Sequence, residues 1–313
     1  MHEFPVMPPA PFSFKNTAAF LSPGPGDVVD VYDGKRYTRM LEVNDRKRLV
    51  LVSSLGTAQR PELIVTLMNG THRDEHAVAL MLTRMLGLSF DPKPFYQLCR
   101  RDQFLYGFSS DYYGLRPVQR MHPFEALVTA LIAEQTGQHF LTTSVSQLAI
   151  PVSYWVAFAG ERFYAFPGAQ VLAKLDPRAV VNENLTFKAV ELLVALSREV
   201  AAGQIDLVGF ARLPLEVMLD ELESLRGIGP VGAQLSALLG YGRLDCFPST
   251  DLILQQWIGR NYKDQERVTA AEAAAWADPW GSMRGLVALH IYAELLKKDF
   301  AASRLDADID ELT

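Results

Sequence analysis

The stretch LESLRGIGPVGAQLSALLGYGRLDCFPSTD, residues 222–251, decides how this chain folds. An apolar segment with helical periodicity, 214–225, breaks at Gly227 and Gly229, and a second helical segment follows at once. Glycine allows backbone conformations that a Cβ would oppose. Pro230 suits the first turn of a helix, because its missing N–H had no partner there. The pattern predicts two helices joined by a tight turn.

This turn would expose backbone N–H groups at a helix N-terminus, where the helix dipole favours an anion. A DNA phosphate fits such a place and needs no basic side chain. A plain helix–turn–helix connection with capping glycines explains the same residues. A dinucleotide-binding loop is disfavoured because the segment before Gly227 is helical, whereas that motif requires a strand there.

A single acid, Asp251, lies 22 residues beyond Gly229 and follows Ser249 and Thr250. Serine, threonine and aspartate are preferred N-caps, so Asp251 can simply begin a helix. A helix N-terminus also favours the ionised carboxylate. A capping role and a functional role as a fixed anion are therefore compatible.

The composition is that of an ordinary globular protein. The 313 residues suit two or three compact units, with 49% hydrophobic and 21% charged residues. We expect no secretory signal and no membrane-spanning helix. Two cysteines, Cys99 and Cys246, cannot form a four-cysteine cluster and fit a reducing cytoplasm. The net charge of −6 argues mildly against nucleic acid, although local fields decide contacts.

The chain as a whole is expected to be mostly α with an N-terminal α+β domain. Residues 1–92 predict a small antiparallel sheet, with Asp33-Gly34 and Asn44-Asp45 as hairpin turns, followed by a helix over 71–86. The strand segments are 27–32, 35–43, 48–53 and 62–68. Amphipathic helices are predicted over 122–135, 185–201, 214–225 and 281–298.

Four blocks of sequence resemble the helix-hairpin-helix DNA glycosylase superfamily. Residues 225–232 followed by Asp251 are similar to its hairpin and catalytic aspartate. HPFEALVTALIAEQTG (122–137) resembles the helix before its base-pair-probing loop. WGSMRGLVALHIY (280–292) resembles the closing helix of bacterial 3-methyladenine DNA glycosylase II. PFSF (11–14) and the sheet after it also fit that branch, which is related to the 8-oxoguanine DNA glycosylases.

The resemblance covers nearly the whole chain and implies the helix-hairpin-helix DNA glycosylase fold. It implies three parts, which are a sheet-plus-helix domain, a helical domain with the hairpin, and a second helical domain with the catalytic Asp. Their bounds are 1–92, then 117–243, then 93–116 together with 244–313. Asp251 would be the catalytic carboxylate beside the sugar of a flipped-out base.

Further site residues are implied by position only. The hairpin residues Gly227, Gly229, Val231 and Gly232 would contact the DNA backbone.

Gln135 falls where the family inserts a side chain into the duplex, although it also reads as a polar residue that ends a helix. Tyr292 stands where the alkyl-base enzymes carry a stacking tryptophan, which makes it the first candidate for the base pocket. Trp257 is a second candidate, with core packing as the alternative.

The resemblance also implies partners and cofactors. No cofactor is expected to be required, but a Na⁺ or K⁺ ion would lie in the hairpin on the backbone carbonyls of Glu223, Leu225 and Ile228. The expected partner is double-stranded DNA containing a damaged base, with no membrane partner. The protein is expected to be a monomer in a bacterial-type cytoplasm, associated with the nucleoid.

Val231 is the departure from the family pattern. Bifunctional members carry a lysine there that forms a Schiff base with the sugar, and the bacterial alkyl-base enzyme carries a tryptophan. We therefore expect a monofunctional glycosylase that leaves an abasic site, with the substrate range open. An alkylated purine is favoured because a cationic base leaves as a neutral molecule. The alternatives are an oxidised-base glycosylase, such as one for 8-oxoguanine, and a catalytically silent damage-sensing or structure-specific DNA-binding protein.

Overall fold

The computed structural model describes residues 1–22, 24, 26–137, 145–182 and 185–296. The strands are β1 (His2–Val6), β2 (Asp30–Tyr32), β3 (Arg36–Val43), β4 (Arg46–Ser54), β5 (Leu63–Met68), β6 (Trp155–Phe158) and β7 (Glu161–Tyr164). The helices of the N-terminal half are α1 (Phe14–Leu21), α2 (Glu75–Met85), α3 (Lys93–Cys99), α4 (Phe108–Asp111), α5 (Pro123–Thr136) and α6 (Ser146–Val152). The others are α7 (Ala169–Leu172), α8 (Phe187–Ala201), α9 (Leu215–Ser224), α10 (Pro230–Tyr241), α11 (Leu252–Ile258), α12 (Ala270–Ala277) and α13 (284–296).

The first five strands form one antiparallel sheet in the order β1-β5-β4-β3-β2. Asn44 and Asp45, both with positive φ, join β3 to β4, as expected for a two-residue hairpin turn. Strand β1 is absent from the sequence prediction. It pairs with β5 at the edge of the sheet, where Pro5 is tolerated because one side of the strand needs no N–H donor.

A second hairpin, β6–β7, lies in a region expected to be helical. Its two-residue turn is Ala159-Gly160, and both residues have positive φ (51° and 86°). Phe163 and Ala165 pack against buried side chains of β3 and β4. The sequence does contain a signal for this hairpin, since a short glycine-containing turn separates two runs rich in aromatic residues.

Helix α5 is the centre of the helical part. The predicted helix is confirmed, but the expected polar face is wrong, because every residue from 123 to 133 is buried. Helices α8 and α10 pack on it, and the sheet covers another side. A helix enclosed on all sides has no need of a polar stripe. No helix among the described residues is long and apolar enough to cross a membrane.

A buried ion cluster ties the sheet to α5. Arg39 of β3 is 1% exposed and donates to the carboxylates of Asp30 and Glu125, each at 2.6 Å. Arg120 lies 3.5 Å from the same Asp30. Two cations therefore face two carboxylates in a buried region, and removal of one partner would leave an uncompensated buried charge, which is costly.

We predict that Arg39→Met lowers the free energy of unfolding by about 3–5 kcal/mol, because Asp30 and Glu125 would remain buried without their shared donor. Urea denaturation measures this. The control is Lys47→Gln in the next strand, which breaks an exposed pair with Glu42 and should cost less than about 1 kcal/mol. Equal effects of the two substitutions would contradict the role assigned to Arg39.

Candidate active site

The predicted tight turn between α9 and α10 is confirmed. Gly227 has φ 93°, a left-handed conformation that L side chains rarely adopt. It also lies against α5 and α8, since a Cβ there would be 3.3 Å from Leu131 and from Leu192. The N–H of Ile228 donates to the carbonyl of Leu225 at 3.0 Å, which closes the turn.

An internal carboxylate occupies two of the hairpin N–H groups. Gly229 and Gly232 donate to the two oxygens of Glu134, each at 2.7 Å. The expectation that these N–H groups are free is wrong, although an anion does lie at the N-terminus of α10 as the helix dipole favours. Sequence reasoning missed Glu134 because nothing local to a residue 95 positions away signals the contact.

Asp251 is the N-cap of α11, as its sequence context predicts. Its Oδ1 accepts the N–H of Ile253 at 2.8 Å, and its Oδ2 accepts the hydroxyl of Tyr292 at 2.8 Å. The residue is 6% exposed. One donor on each oxygen fixes the plane of the carboxylate, so it is a preorganised anion in a nearly dry place.

Tyr292 lies on α13 and is fully buried. Its contact with the site runs through the hydroxyl on Asp251, and its ring presents no open face for stacking in this structure. Burial, and after it the nearby Asp251, raises the pKa of Tyr292 well above its ordinary value. Tyr292 therefore stays a neutral donor at physiological pH.

Two glutamines hold the loop before Asp251. The Oε1 of Gln234 on α10 accepts the hydroxyl of Thr250 at 2.6 Å and its N–H at 3.3 Å. Gln255 donates from Nε2 to the carbonyl of Ser249 at 2.9 Å. The second helix of the hairpin is thus hydrogen-bonded directly to the loop that carries the acid. Neither glutamine stood out in the sequence.

Trp257 lies half-buried on α11 in an aromatic cluster. Its ring stacks on Phe108 with centroids 5.7 Å apart, and Tyr262 meets it edge-on at 5.9 Å. Its Nε1 donates to Glu294 of α13 at 3.3 Å. These contacts attach α11 to α4 and α13, which is the packing role left open by the sequence.

Gln135 is half-buried in the last turn of α5, which ends at Gly137 with φ 71°. The following residues, 138–144, lie outside the described residues. Glu134, the residue before Gln135, accepts hydrogen bonds from the hairpin, and this contact attaches the end of α5 to the hairpin.

Val231 is half-buried near the start of α10 and brings no amine to the site. Among the described residues, no group of three or more His, Cys, Asp or Glu side chains could hold a metal ion. Glu223 lies in the last turn of α9, whereas Leu225 and Ile228 lie in the turn after it, and the carbonyl of Leu225 already accepts one hydrogen bond.

Comparison with known proteins identifies the fold. No protein-family model matches the sequence. The chain is 22% identical over 262 residues to a DNA-3-methyladenine glycosylase of Bacillus subtilis, which covers 82% of this chain and 86% of the relative. A 3-methyladenine DNA glycosylase structure from Archaeoglobus fulgidus matches with a TM-score of 0.81 at 20% identity, over 92% of this chain and 97% of that chain.

An 8-oxoguanine glycosylase/lyase of Clostridium acetobutylicum, in complex with double-stranded DNA containing cytosine opposite 8-oxoG, matches with a TM-score of 0.72. Its identity is 15%, with 93% of each chain covered. The predicted fold is therefore confirmed: it is that of the helix-hairpin-helix DNA glycosylases, and the resemblance to the 3-methyladenine enzymes is confirmed with it.

His290 lies on α13, two residues before Tyr292, and it makes the stability of the protein depend on pH in the acid range. It is 1% exposed, stacks on Phe95 at 4.3 Å, and its Nδ1 lies 2.8 Å from the carbonyl of Leu286. Burial lowers the pKa of His290 to about 4. The unfolded chain therefore binds a proton here between pH 6.5 and 4 that the folded protein does not, and stability falls as the pH falls through this window.

We predict that His290→Phe removes this acid sensitivity. Between pH 7.5 and pH 5 the wild type should lose about 2 kcal/mol more of its free energy of unfolding than the variant. Urea denaturation at both pH values measures the difference. His76→Gln, at an exposed position on α2, serves as the control and should keep the acid loss of the wild type. Parallel pH profiles of His290→Phe and wild type would contradict the prediction.

Proposed function

We propose that this chain is a monofunctional DNA glycosylase of base excision repair, which hydrolyses the N-glycosidic bond of a flipped-out alkylated purine. The observation that carries the proposal is the Asp251 carboxylate, buried and fixed by two donors, within the DNA glycosylase fold. The relative from Bacillus subtilis, similar over 86% of its length, is named a DNA-3-methyladenine glycosylase.

The proposed reaction depends on the buried carboxylate of Asp251, which is fixed by its two hydrogen-bond donors. As the base departs, positive charge develops on the sugar, and a carboxylate that needs no reorganisation stabilises it. The hydroxyl of Tyr292 and the N–H of Ile253 keep the carboxylate from turning away. Because Tyr292 remains protonated, it adds no second negative charge and acts as a positioning residue.

An alkylated purine is the substrate class that this site suits best. Such a base carries a positive charge before the bond breaks and leaves as a neutral molecule, so it needs no general acid. The hydroxyl of Tyr292 is committed to Asp251, and its raised pKa makes it a poor acid. An oxidised base is the second candidate, supported by the likeness in fold to the 8-oxoguanine glycosylase/lyase.

The proposed partner is double-stranded DNA containing the damaged base. The structures of similar fold include one solved with double-stranded DNA, which supports DNA binding. The hairpin N–H groups from Gly227 to Gly232 would hold a backbone phosphate, and Gln135 would enter the duplex. The protein would act as a monomer in the cytoplasm, at the nucleoid.

A monovalent cation in the hairpin is a further part of this proposal. Backbone carbonyls are hard, neutral oxygen donors of the type that alkali cations accept. Those of Glu223, Leu225 and Ile228 would hold the ion, whose positive charge would favour the nearby DNA phosphate. No other cofactor is proposed.

We predict that Asp251→Asn slows single-turnover release of the base by about 10²- to 10³-fold, because the anion that stabilises the sugar cation is lost. DNA binding should persist, as measured by fluorescence anisotropy. Asp220→Asn changes an exposed acid on α9 and should behave as wild type. If wild type and Asp251→Asn both bind DNA and neither releases a base, the protein is a catalytically silent DNA-binding protein.

We also predict that borohydride traps no covalent complex with damaged DNA, because Val231 supplies no amine to form a Schiff base. Denaturing gel electrophoresis of the protein with labelled DNA tests this. The 8-oxoguanine glycosylase/lyase of Clostridium acetobutylicum is the positive control. A trapped band that depends on this protein would overturn the monofunctional assignment.

A further inference from the structure

The hairpin holds an anion that comes from the protein itself, the carboxylate of Glu134. The two oxygens of Glu134 accept the N–H groups of Gly229 and Gly232, and both distances are 2.7 Å. Hydrogen bonds to an ionised acceptor at this distance are about twice as strong as neutral ones. The contact joins α5 to the first turn of α10 across 95 and 98 residues of sequence, so it is a product of the fold.

The hairpin is shaped for this carboxylate. A Cβ at Gly232 would lie 2.7 Å from Oε1 of Glu134, and one at Gly229 would lie 3.3 Å from the same atom. A Cβ at Gly232 would therefore displace the carboxylate from its present position, and one at Gly229 would require a shift of a few tenths of an ångström. The same Cβ at Gly232 would lie 3.3 Å from that of Ala130, so the end of α5 and the start of α10 pack closely.

A DNA phosphate would need the same donors. A phosphodiester presents two non-bridging oxygens, and a carboxylate presents two oxygens to the same pair of N–H groups. Each N–H donates one strong hydrogen bond, so Glu134 and a phosphate cannot both hold Gly229 and Gly232. Two anions at one helix N-terminus also repel each other.

We propose that Glu134 is an internal competitor of DNA: its carboxylate occupies the phosphate site of the hairpin in the free protein, and a backbone phosphate displaces it on binding. This inference rests on the proposed function, because it requires that the hairpin binds DNA. Glu134 is half-buried in the last turn of α5, so its carboxylate is not sealed in the core as that of Asp251 is. The competition lowers the affinity for DNA, because part of the binding free energy of the phosphate is offset by the release of Glu134.

The test compares DNA affinity between charge-matched variants. Glu134→Gln keeps the shape of the side chain and removes its charge, and Glu216→Gln removes one charge at an exposed position on α9. Fluorescence anisotropy with a duplex carrying a tetrahydrofuran abasic analogue gives the dissociation constants. Glu134→Gln should bind about tenfold more tightly than wild type, whereas Glu216→Gln should stay within about twofold.

Amide spectra of the wild type give an independent readout. The ¹⁵N–¹H signals of Gly229 and Gly232 in the wild type should move when DNA is added, because the acceptor of both N–H groups changes from a carboxylate to a phosphate. This second measurement decides the matter even if Glu134→Gln proves unstable in thermal unfolding.

The proposal is overturned if a folded Glu134→Gln binds no more tightly than Glu216→Gln, or if the two glycine signals stay unchanged when DNA binds. In that case Glu134 keeps its hydrogen bonds to the hairpin when DNA binds, and its role is to join α5 to the hairpin. If the wild type neither binds the duplex nor releases a base from any damaged DNA, the proposed function fails instead, which is a different result.

Discussion

The close packing of α5 against α10 is the contact on which the rest of the structure depends. Gly232 and Gly240 of α10 face Ala130 and Ala126 of α5, and a Cβ at Gly240 would lie 3.0 Å from that of Ala126. Small residues let the two helices approach, which gains contacts that larger side chains would prevent. Because α10 begins at the hairpin and carries Gln234 to the loop of the acid, this packing fixes the whole site.

The same arrangement, a carboxylate that accepts backbone N–H groups at a helix N-terminus, occurs twice in this region. Asp251 lies at the N-terminus of α11 and Glu134 lies at the N-terminus of α10, and each carboxylate accepts backbone N–H groups there. The two carboxylates differ in their exposure to solvent. Asp251 is buried and also accepts the hydroxyl of Tyr292, so its carboxylate is held in place, as the proposed role beside a sugar requires. Glu134 is half-buried, and among the described residues its carboxylate accepts the N–H groups of Gly229 and Gly232, which is the contact that the proposed displacement by a phosphate would break.

The sequence was sufficient for features that depend on neighbouring residues. Gly227 needs a left-handed backbone, and Asp251 caps the helix that follows it, so the turn and the acid could both be predicted. Contacts between distant segments could not be predicted, because no residue near Gly229 indicates Glu134. Tyr292 was expected to stack on a base, whereas its hydroxyl donates to Asp251. The burial of α5 on all sides was also not predicted. Glu125 suggested an exposed face, but it is buried and accepts a hydrogen bond from Arg39 of the sheet.

The measurement that tests the account most directly is base excision by the wild-type protein from a panel of duplex oligonucleotides. Each carries one lesion, such as 7-methylguanine or 8-oxoguanine, beside an undamaged control. The account predicts release of the alkylated purine as the free base, with the DNA strand left intact at an abasic site. Release of 8-oxoguanine in preference to the alkylated purine would contradict the substrate class, and release of no base from any lesion would contradict the catalytic role of Asp251.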